Sequence, residues 1–485
     1  MKVQLVVDST LAADSVHIKS PVKVPIPPSR LRFGGGGLRV SSIVTRATKP
    51  DLCLDSESPA CVPSFSPSAD HEPDVAGGAN GDATVCVGRY AQERLSLPES
   101  GTLHVRVLKD RVWHLGPCLA FYSQLTHSEL RPFGEQTQMF ADLSVMGKQL
   151  GVDVIVQTPG DPQEKLGWRY SPENDFWIRQ TSPAPDVVIR RSGMFPAVDM
   201  QSVVRDLTTY KTDGKLHSLP RICGNKWALY QAFRETSSAL GALFPETKLA
   251  ESPEVVYDIA MSRGDVYVKP LTGAQGILVF HLTRHHGRLV AAYEERWSPS
   301  QRVPMRAFET HATTREFRDA ADFKRFWRTT GLMRCLVQDT VVLPRTRSHE
   351  PFDFRWLVQD CGQLEVVARV ARIGQPGAVT TNIHTGARAM QAADALRLAG
   401  WSDAESMIAQ LDRAALQAAN ELRQRYGPFA EVGVDLAIGE DNRVFVFEAN
   451  PTPGRRMLRS LSGSVREMSL QCLLEYAIRA TGFEP

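Results

Sequence analysis

The chain is 485 residues long and 42% hydrophobic, enough to bury more than one core, and ordinary domain sizes set the expectation at roughly two to four folded units. Lys and Arg number 56 against 54 Asp and Glu, a formal net charge of +2, so no global field gathers nucleic acid or anionic lipid and any charge-based function is local. The cysteines form no CxxC pair and no zinc-spaced Cys/His array, no window is apolar enough for a spanning helix, and Asp8 cuts short the apolar N-terminal stretch; the expectation is a cytoplasmic protein with reduced thiols.

From Met1 to about Thr84 the sequence is dominated by Pro, Gly, Ser and Asp, and predicts a disordered, low-complexity leader. The run Gly34 to Gly37 reads as linker and not as a phosphate loop, because no Gly-Lys-Ser/Thr follows it. Between Val85 and Gly116 the short segments VCVGRY, RLSLP, TLHVRVL and RVWHLG predict a small antiparallel β module. Residues 117–219 then read as an α/β domain: the strand CLAFYS, a helix from about Glu135 to Leu150, the strand VDVIVQTP, a hairpin turning at SPEND, and the strand DVVIRR. No internal repeat is present.

After Pro220 the pattern changes. Asn225 opens a helix over KWALYQAFRETSSAL, on which Trp227, Tyr230 and Phe233 read as core. VYVKP is a strand before the turn LTGAQG, and ILVFHL pairs with RLVAAYEE across HHGR, which leaves His285 and His286 in a solvated turn. RCLVQDTVVL, FRWLVQD, QLEVVARVAR, EVGVDLAIG and RVFVFEAN follow as strands, and DAESMIAQLDRAALQAANELRQRYG is a long amphipathic helix.

Three groups of residues carry chemistry. EVGVDLAIGEDNRVFVFEANP is a hairpin with Asp435 on its first strand and Glu448 and Asn450 two apart at the end of its second, so that the last two share a face. These hard oxygen donors suit magnesium; the alternative is a solvated polar face, against which stands the apolar setting of both carboxylates. Lys269 ends a strand before a turn holding Gly273 and Gly276, which suits a phosphate but by itself is more often solvated punctuation. Arg355, Arg369 and Arg372 sit among apolar strand residues and need anions, either a phosphate or internal partners among Asp353, Asp360 and Glu365.

The blocks GNKWALYQAF, LFPET, VYVKPLTGAQGI, CLVQD, DFRWLVQ with ARIG and TTNIHTG, and GVDLAI with FEANPTPGRR resemble, in this order, the ATP-grasp superfamily. Within it the chain is similar to the YheC/YheD-like family and more distantly to RimK-like ligases, from about Val85 onward. The resemblance implies an ATP-grasp fold of the α/β class, with α+β lobes over residues 220–485, preceded by the small β module and a pre-ATP-grasp α/β domain. It implies that Lys226 and Lys269 contact the nucleotide, that Thr272, Gly273 and Gly276 belong to a mobile phosphate loop, and that Val337, Gln338 and Asp339 form the adenine hinge with Gln338 at the base. Asp435, Glu448 and Asn450 match the ligands of Mg2+, with Mn2+ as a substitute, while Arg372 and Asn382 match positions near the γ-phosphate and acyl phosphate, and Arg355 is a similar candidate. The loop TGAQG has fewer glycines than many family members.

The implied activity is that of an ADP-forming carboxylate-amine ligase of peptide type, taking small-molecule or peptide carboxylates and amines through an acyl phosphate, with no nucleic-acid or membrane partner. The family's association with the spore coat brings in an ATP-binding structural or regulatory protein without turnover, and a kinase that stops at phosphorylation is the other alternative. Nothing names the donor or acceptor; Arg190 and Arg191 enter only by position.

Overall fold

The computed structural model describes the chain apart from residues 1, 8–10, 12–14, 21–27, 29, 34–35, 40–41, 48–82, 99, 110–111, 194, 237, 274–277, 295–311, 378, 382–386, 462 and 484–485. It divides into two compact units, one of residues 1–121, 125–187 and 477–485, the other of residues 122–124 and 188–476. The expected borders near residues 116 and 219 therefore fall inside units.

In the first unit an eight-stranded sheet orders Gly36–Arg39, Arg30–Phe33, Val112–Gly116, Ser100–Leu108, Lys2–Val7, Ala83–Val87, Ser15–Ser20 and Ser42–Ala47. The expectation of a disordered leader is corrected here. Lys2–Val7 is an inner strand, pairing parallel to Ala83–Val87 and antiparallel to Ser100–Leu108, and Val3, Leu5, Val16, Ile18, Leu31 and Phe33 are completely buried. Alternate apolar residues supply a buried sheet face even in a segment rich in polar and turn-forming residues; residues 48–82, the remainder of that expectation, lie outside the described residues. RLSLP is corrected too: Arg89–Leu95 is a helix, with Ala91 and Leu95 buried four residues apart and Ser96 ending it at φ 52°. Its Ala, Gln, Glu, Arg and Leu favour a helix over a strand. A second sheet holds the antiparallel hairpin Leu166–Ser171 with Phe176–Thr181, as the turn SPEND predicts.

The second unit holds two lobes built on antiparallel ladders. One sheet runs Thr247–Ala250, Cys335–Asp339, Asp265–Pro270, Phe280–His285, Arg288–Glu294, Ala312–Glu316, and its core joins Val266, Val268, Phe280 and Leu282 to Phe323, Phe326 and Trp327 of the helix Ala320–Thr330. Asp319 starts that helix by accepting the Asp322 amide at 2.8 Å. The other sheet runs Arg388–Gln391, Leu364–Ile373, Phe352–Asp360, Glu431–Ile438, Val444–Asn450. The helix Ala404–Tyr426 covers it with Met407, Leu411, Ala414, Ala415, Ala418 and Leu422, a stripe at helical spacing whose alanines allow a close approach.

The expectation of reduced thiols is corrected at Cys361 and Cys472, which are bonded at 2.04 Å across a sequence separation of 111. The turn after Phe352–Asp360 meets the helix Gly463–Ala480, a juxtaposition that no local spacing reveals. Cys86, Cys118, Cys223 and Cys335 are free and buried. Among the described residues no helix is long and apolar enough to cross a membrane.

Candidate functional site

The two lobes of the second unit both line one pocket. Tyr267, Lys269 and Pro270 come from one strand and Gln338 and Asp339 from its neighbour; Asp353, Arg372, Asp435, Phe447 and Glu448 come from the other sheet. Val379, Thr380 and Thr381 complete a wall, and Lys226 enters from the start of a helix. That helix starts at Lys226 because the Asn225 Oδ1 accepts the amides of Trp227 and Ala228, both at 3.0 Å. The Lys226 Nζ donates to the Gly273 carbonyl at 3.0 Å and lies 3.1 Å from the Glu448 Oε2.

Lys269 donates from Nζ to the Gln338 Oε1 at 2.7 Å and sits 4.8 Å from the centre of the Phe447 ring. Among the described residues no carboxylate lies within ion-pairing distance of it. Burial pushes its ammonium down to about 8, with Glu448 acting in the opposite direction and Lys226 adding to the fall.

Across the pocket floor the charges are paired. Arg372 donates to both oxygens of Asp353 at 2.7 and 2.5 Å and to Asp435 at 3.1 Å, and Arg355 donates to both Asp435 oxygens. Burial raises the Asp435 carboxyl, but Arg355 and Arg372 outweigh it and hold the group below the ordinary carboxylate range. Asp435 stands opposite Glu448 in the ladder, and the register shifts beside this pair, so Phe447 is an extra residue and lines the pocket together with Glu448.

The sequence-derived residues separate accordingly. Lys226, Lys269, Gly273, Gln338, Asp339, Arg372, Asp435 and Glu448 line the pocket. Arg355 adjoins it through Asp435, Thr272 is exposed, and the Val337 side chain belongs to the lobe's core. The Asn450 Oδ1 accepts the Thr452 amide at 2.9 Å and so turns to its own loop. Gly276 and Asn382 lie outside the described residues. Arg369, three residues from Arg372 and so on the opposite sheet face, pairs with none of the expected acids; it donates to Asp412 at 2.9 and 2.8 Å. Tyr267, Phe447 and the segment 379–381 are lining residues that sequence reasoning missed.

Among the described residues no three His, Cys, Asp or Glu side chains converge on a point suited to a metal. The available donors are instead two carboxylates opposite one another and an amide two residues on, all hard oxygens of the kind magnesium takes when phosphates and water complete its shell. Glu448, with its side chain 26% exposed, is the most accessible of them, whereas Asp435 is engaged by arginine. The donor chemistry fits such an ion.

Residues 217–479 match the YheC/D-like ATP-grasp family. This chain belongs to that family. Its relatives include the endospore coat-associated protein YheD of Bacillus subtilis (strain 168), 25% identical over 389 residues that cover 77% of this chain and 80% of that protein. YheC of the same organism is 21% identical over 347 residues, 69% of this chain and 90% of that one. Among solved structures, the ATP-grasp ligase PsnB complexed with a minimal precursor has a TM-score of 0.43 at 13% identity, over 74% of this chain and 98% of that chain. The D-alanine-D-alanine ligase from Coxiella burnetii has a TM-score of 0.41 at 13% identity, over 75% and 97%. In this YheC/D-like protein the family match spans all the pocket residues named above.

Proposed function

We propose that the chain is an ADP-forming carboxylate-amine ligase that uses ATP with magnesium. The observation that carries this reading is the pocket itself: Lys226, Lys269, Arg372, Asp435 and Glu448 line one space together with Phe447, Tyr267 and Val379, with Lys226 beside Glu448 and Arg372 beside Asp435. The cationic groups suit a triphosphate, and the carboxylates among them suit the cation that accompanies it.

In this reading Lys226 and Lys269 hold phosphate oxygens, and Arg372, itself fixed by the two-point contact with Asp353, faces the phosphoryl group in transit. A substrate carboxylate oxygen attacks the γ-phosphorus as the bond to ADP breaks. The amine lone pair then attacks the acyl carbon, phosphate leaves, and the amine proton passes to solvent or phosphate. Magnesium, held by Glu448 and Asp435, would supply charge neutralisation at the phosphates. No protein side chain needs to act as a nucleophile; the chain's work is positioning.

The test is hydroxamate formation from a panel of amino acids and peptides with Mg-ATP and hydroxylamine. ADP release with hydroxamate supports the ligase. A phosphorylated product without hydroxamate means a kinase, and bound ATP without ADP release from any substrate means a binding role. The relatives' names carry them to the endospore coat, and association of this chain with spores, from an otherwise cytoplasmic pool, forms part of the proposal.

A further inference from the structure

Gln338 occupies the position at which the family likeness sets the adenine, yet both ends of its carboxamide are engaged elsewhere. Its Oε1 accepts from the Lys269 Nζ at 2.7 Å and its Nε2 donates to the Thr247 Oγ1 at 2.9 Å, while the Thr247 hydroxyl reaches the Pro245 carbonyl at 2.8 Å. Gln338 and Thr247 are 5% and 3% exposed, and they face each other in the ladder between Thr247–Ala250 and Cys335–Asp339. The direction of every bond in this chain of groups is fixed. A carbonyl can only accept, so the single Thr247 proton goes to Pro245 and the Thr247 oxygen is left to accept. The carboxamide must then turn its NH2 to Thr247 and its oxygen to the lysine, which has donors only.

We propose that Gln338, oriented by Thr247, is the positioning residue that holds the Lys269 ammonium in place for the nucleotide's phosphates, and that it does not read the base. A neutral acceptor suits this task. A carboxylate at the same site would neutralise Lys269 and compete with the phosphates for it, whereas the amide aims the charge and leaves it uncompensated. Among the described residues Lys269 also lies over two rings, Phe447 at 4.8 Å and Tyr267 at 5.9 Å, which can hold a cation without setting its direction.

The inference rests on the nucleotide-binding part of the reading above, and a comparison of phosphorylated and unphosphorylated ligands separates the two. Binding of ADP and of adenosine to the full-length protein is measured by calorimetry for the wild type, Thr247→Val, Thr247→Ser and Gln338→Glu. Thr247→Val keeps the side-chain shape but removes the orienting oxygen, and should weaken ADP roughly five- to tenfold while changing adenosine less than twofold. Thr247→Ser should restore ADP binding, and Gln338→Glu should weaken ADP without affecting adenosine. An equal loss for ADP and adenosine in Thr247→Val or Gln338→Glu would mean that Gln338 serves the base, and would overturn the inference while leaving nucleotide binding intact. Absence of ADP binding in the wild type would overturn the functional reading and the inference with it. Circular dichroism melts of each variant verify folding, and Gln338→Glu keeps the test decisive if the valine variant unfolds.

Discussion

Burial is the largest influence on Lys269 and brings its ammonium to about 8, close enough to neutrality for its charge to be lost in ordinary buffers. A phosphate beside it favours the protonated form, so binding of a nucleotide takes up a proton wherever the free lysine has lost one. Nucleotide affinity should therefore hold below about pH 8 and fall above it, by at most about tenfold per pH unit. Lys269→Ala should bind more weakly and show no such fall. A wild-type profile that stays flat from pH 7.5 to 9.5 would remove Lys269 from the phosphates. Glu448 makes the complementary case: its ion pair with Lys226 is partly solvent-exposed and adds little to stability, so Glu448→Ala should fold normally. Its turnover should drop by at least about a hundredfold, the scale of losing a preorganised electrostatic group, and near-normal ADP release would exclude Glu448 from cation binding. Both residues are legible in the sequence because each closes an otherwise apolar strand. Asp353, which Arg372 holds at two points, is among the acids the sequence offers, but Asp412 for Arg369 and Asp435 for Arg372 are not read from it as partners, since they lie 43 and 63 residues away and only the fold brings them near.

At the scale of elements, period-two reading succeeds until the ladder slips. Alternation predicts that Glu448 and Asn450 share a face and that Phe447 points away. The irregularity at Asp435 adds one residue on the second strand and turns Phe447 and Glu448 to the same pocket, under the Lys269 ammonium. A bulge has no local sequence signature here, so Phe447 could not be singled out. The loop that follows is fixed from beneath by a buried triad: Glu431 accepts from Arg191 and from Arg455, and Arg191 also donates to the Pro453 carbonyl at 2.9 Å. Arg191 thus has a structural anchor, whereas its place in the sequence suggests only a general association with substrate. Burial raises the Glu431 carboxyl, but Arg455 and Arg191 hold it below the ordinary range, so its contribution to stability is complete above that range and lost as pH falls through the depressed value. Glu431→Gln leaves two buried guanidiniums without their anion and should cost about 3–5 kcal/mol at neutral pH. The melting midpoint should fall by roughly 10 °C, read by calorimetry, and a shift under 2 °C would show that the triad does not secure this loop.

For the whole molecule, the family blocks are legible in the C-terminal half, whereas composition misleads at the N-terminal end. Nine short segments in order mark the ATP-grasp half, and the family match covers it. The first 47 residues carry no such blocks, and their Pro and Gly content masks strands whose buried positions are simply alternate aliphatics. Val3, Leu5, Val16 and Ile18 are completely buried, and burying one such side chain is worth about 1.5–3 kcal/mol. Lys2–Val7 also pairs on both edges, so its loss would leave Ala83–Val87 and Ser100–Leu108 without a partner on that side. Deleting residues 2–20 should therefore destabilise the first unit by several kcal/mol, lowering the midpoint of its unfolding by well over 10 °C or leaving the protein insoluble. A disordered leader predicts the opposite: a truncated protein with the yield and melting curve of the full chain. Calorimetry of the two forms side by side decides between them, since removal of a segment that packs against nothing costs no cooperative enthalpy, whereas removal of an inner strand takes away a share of the unit's own.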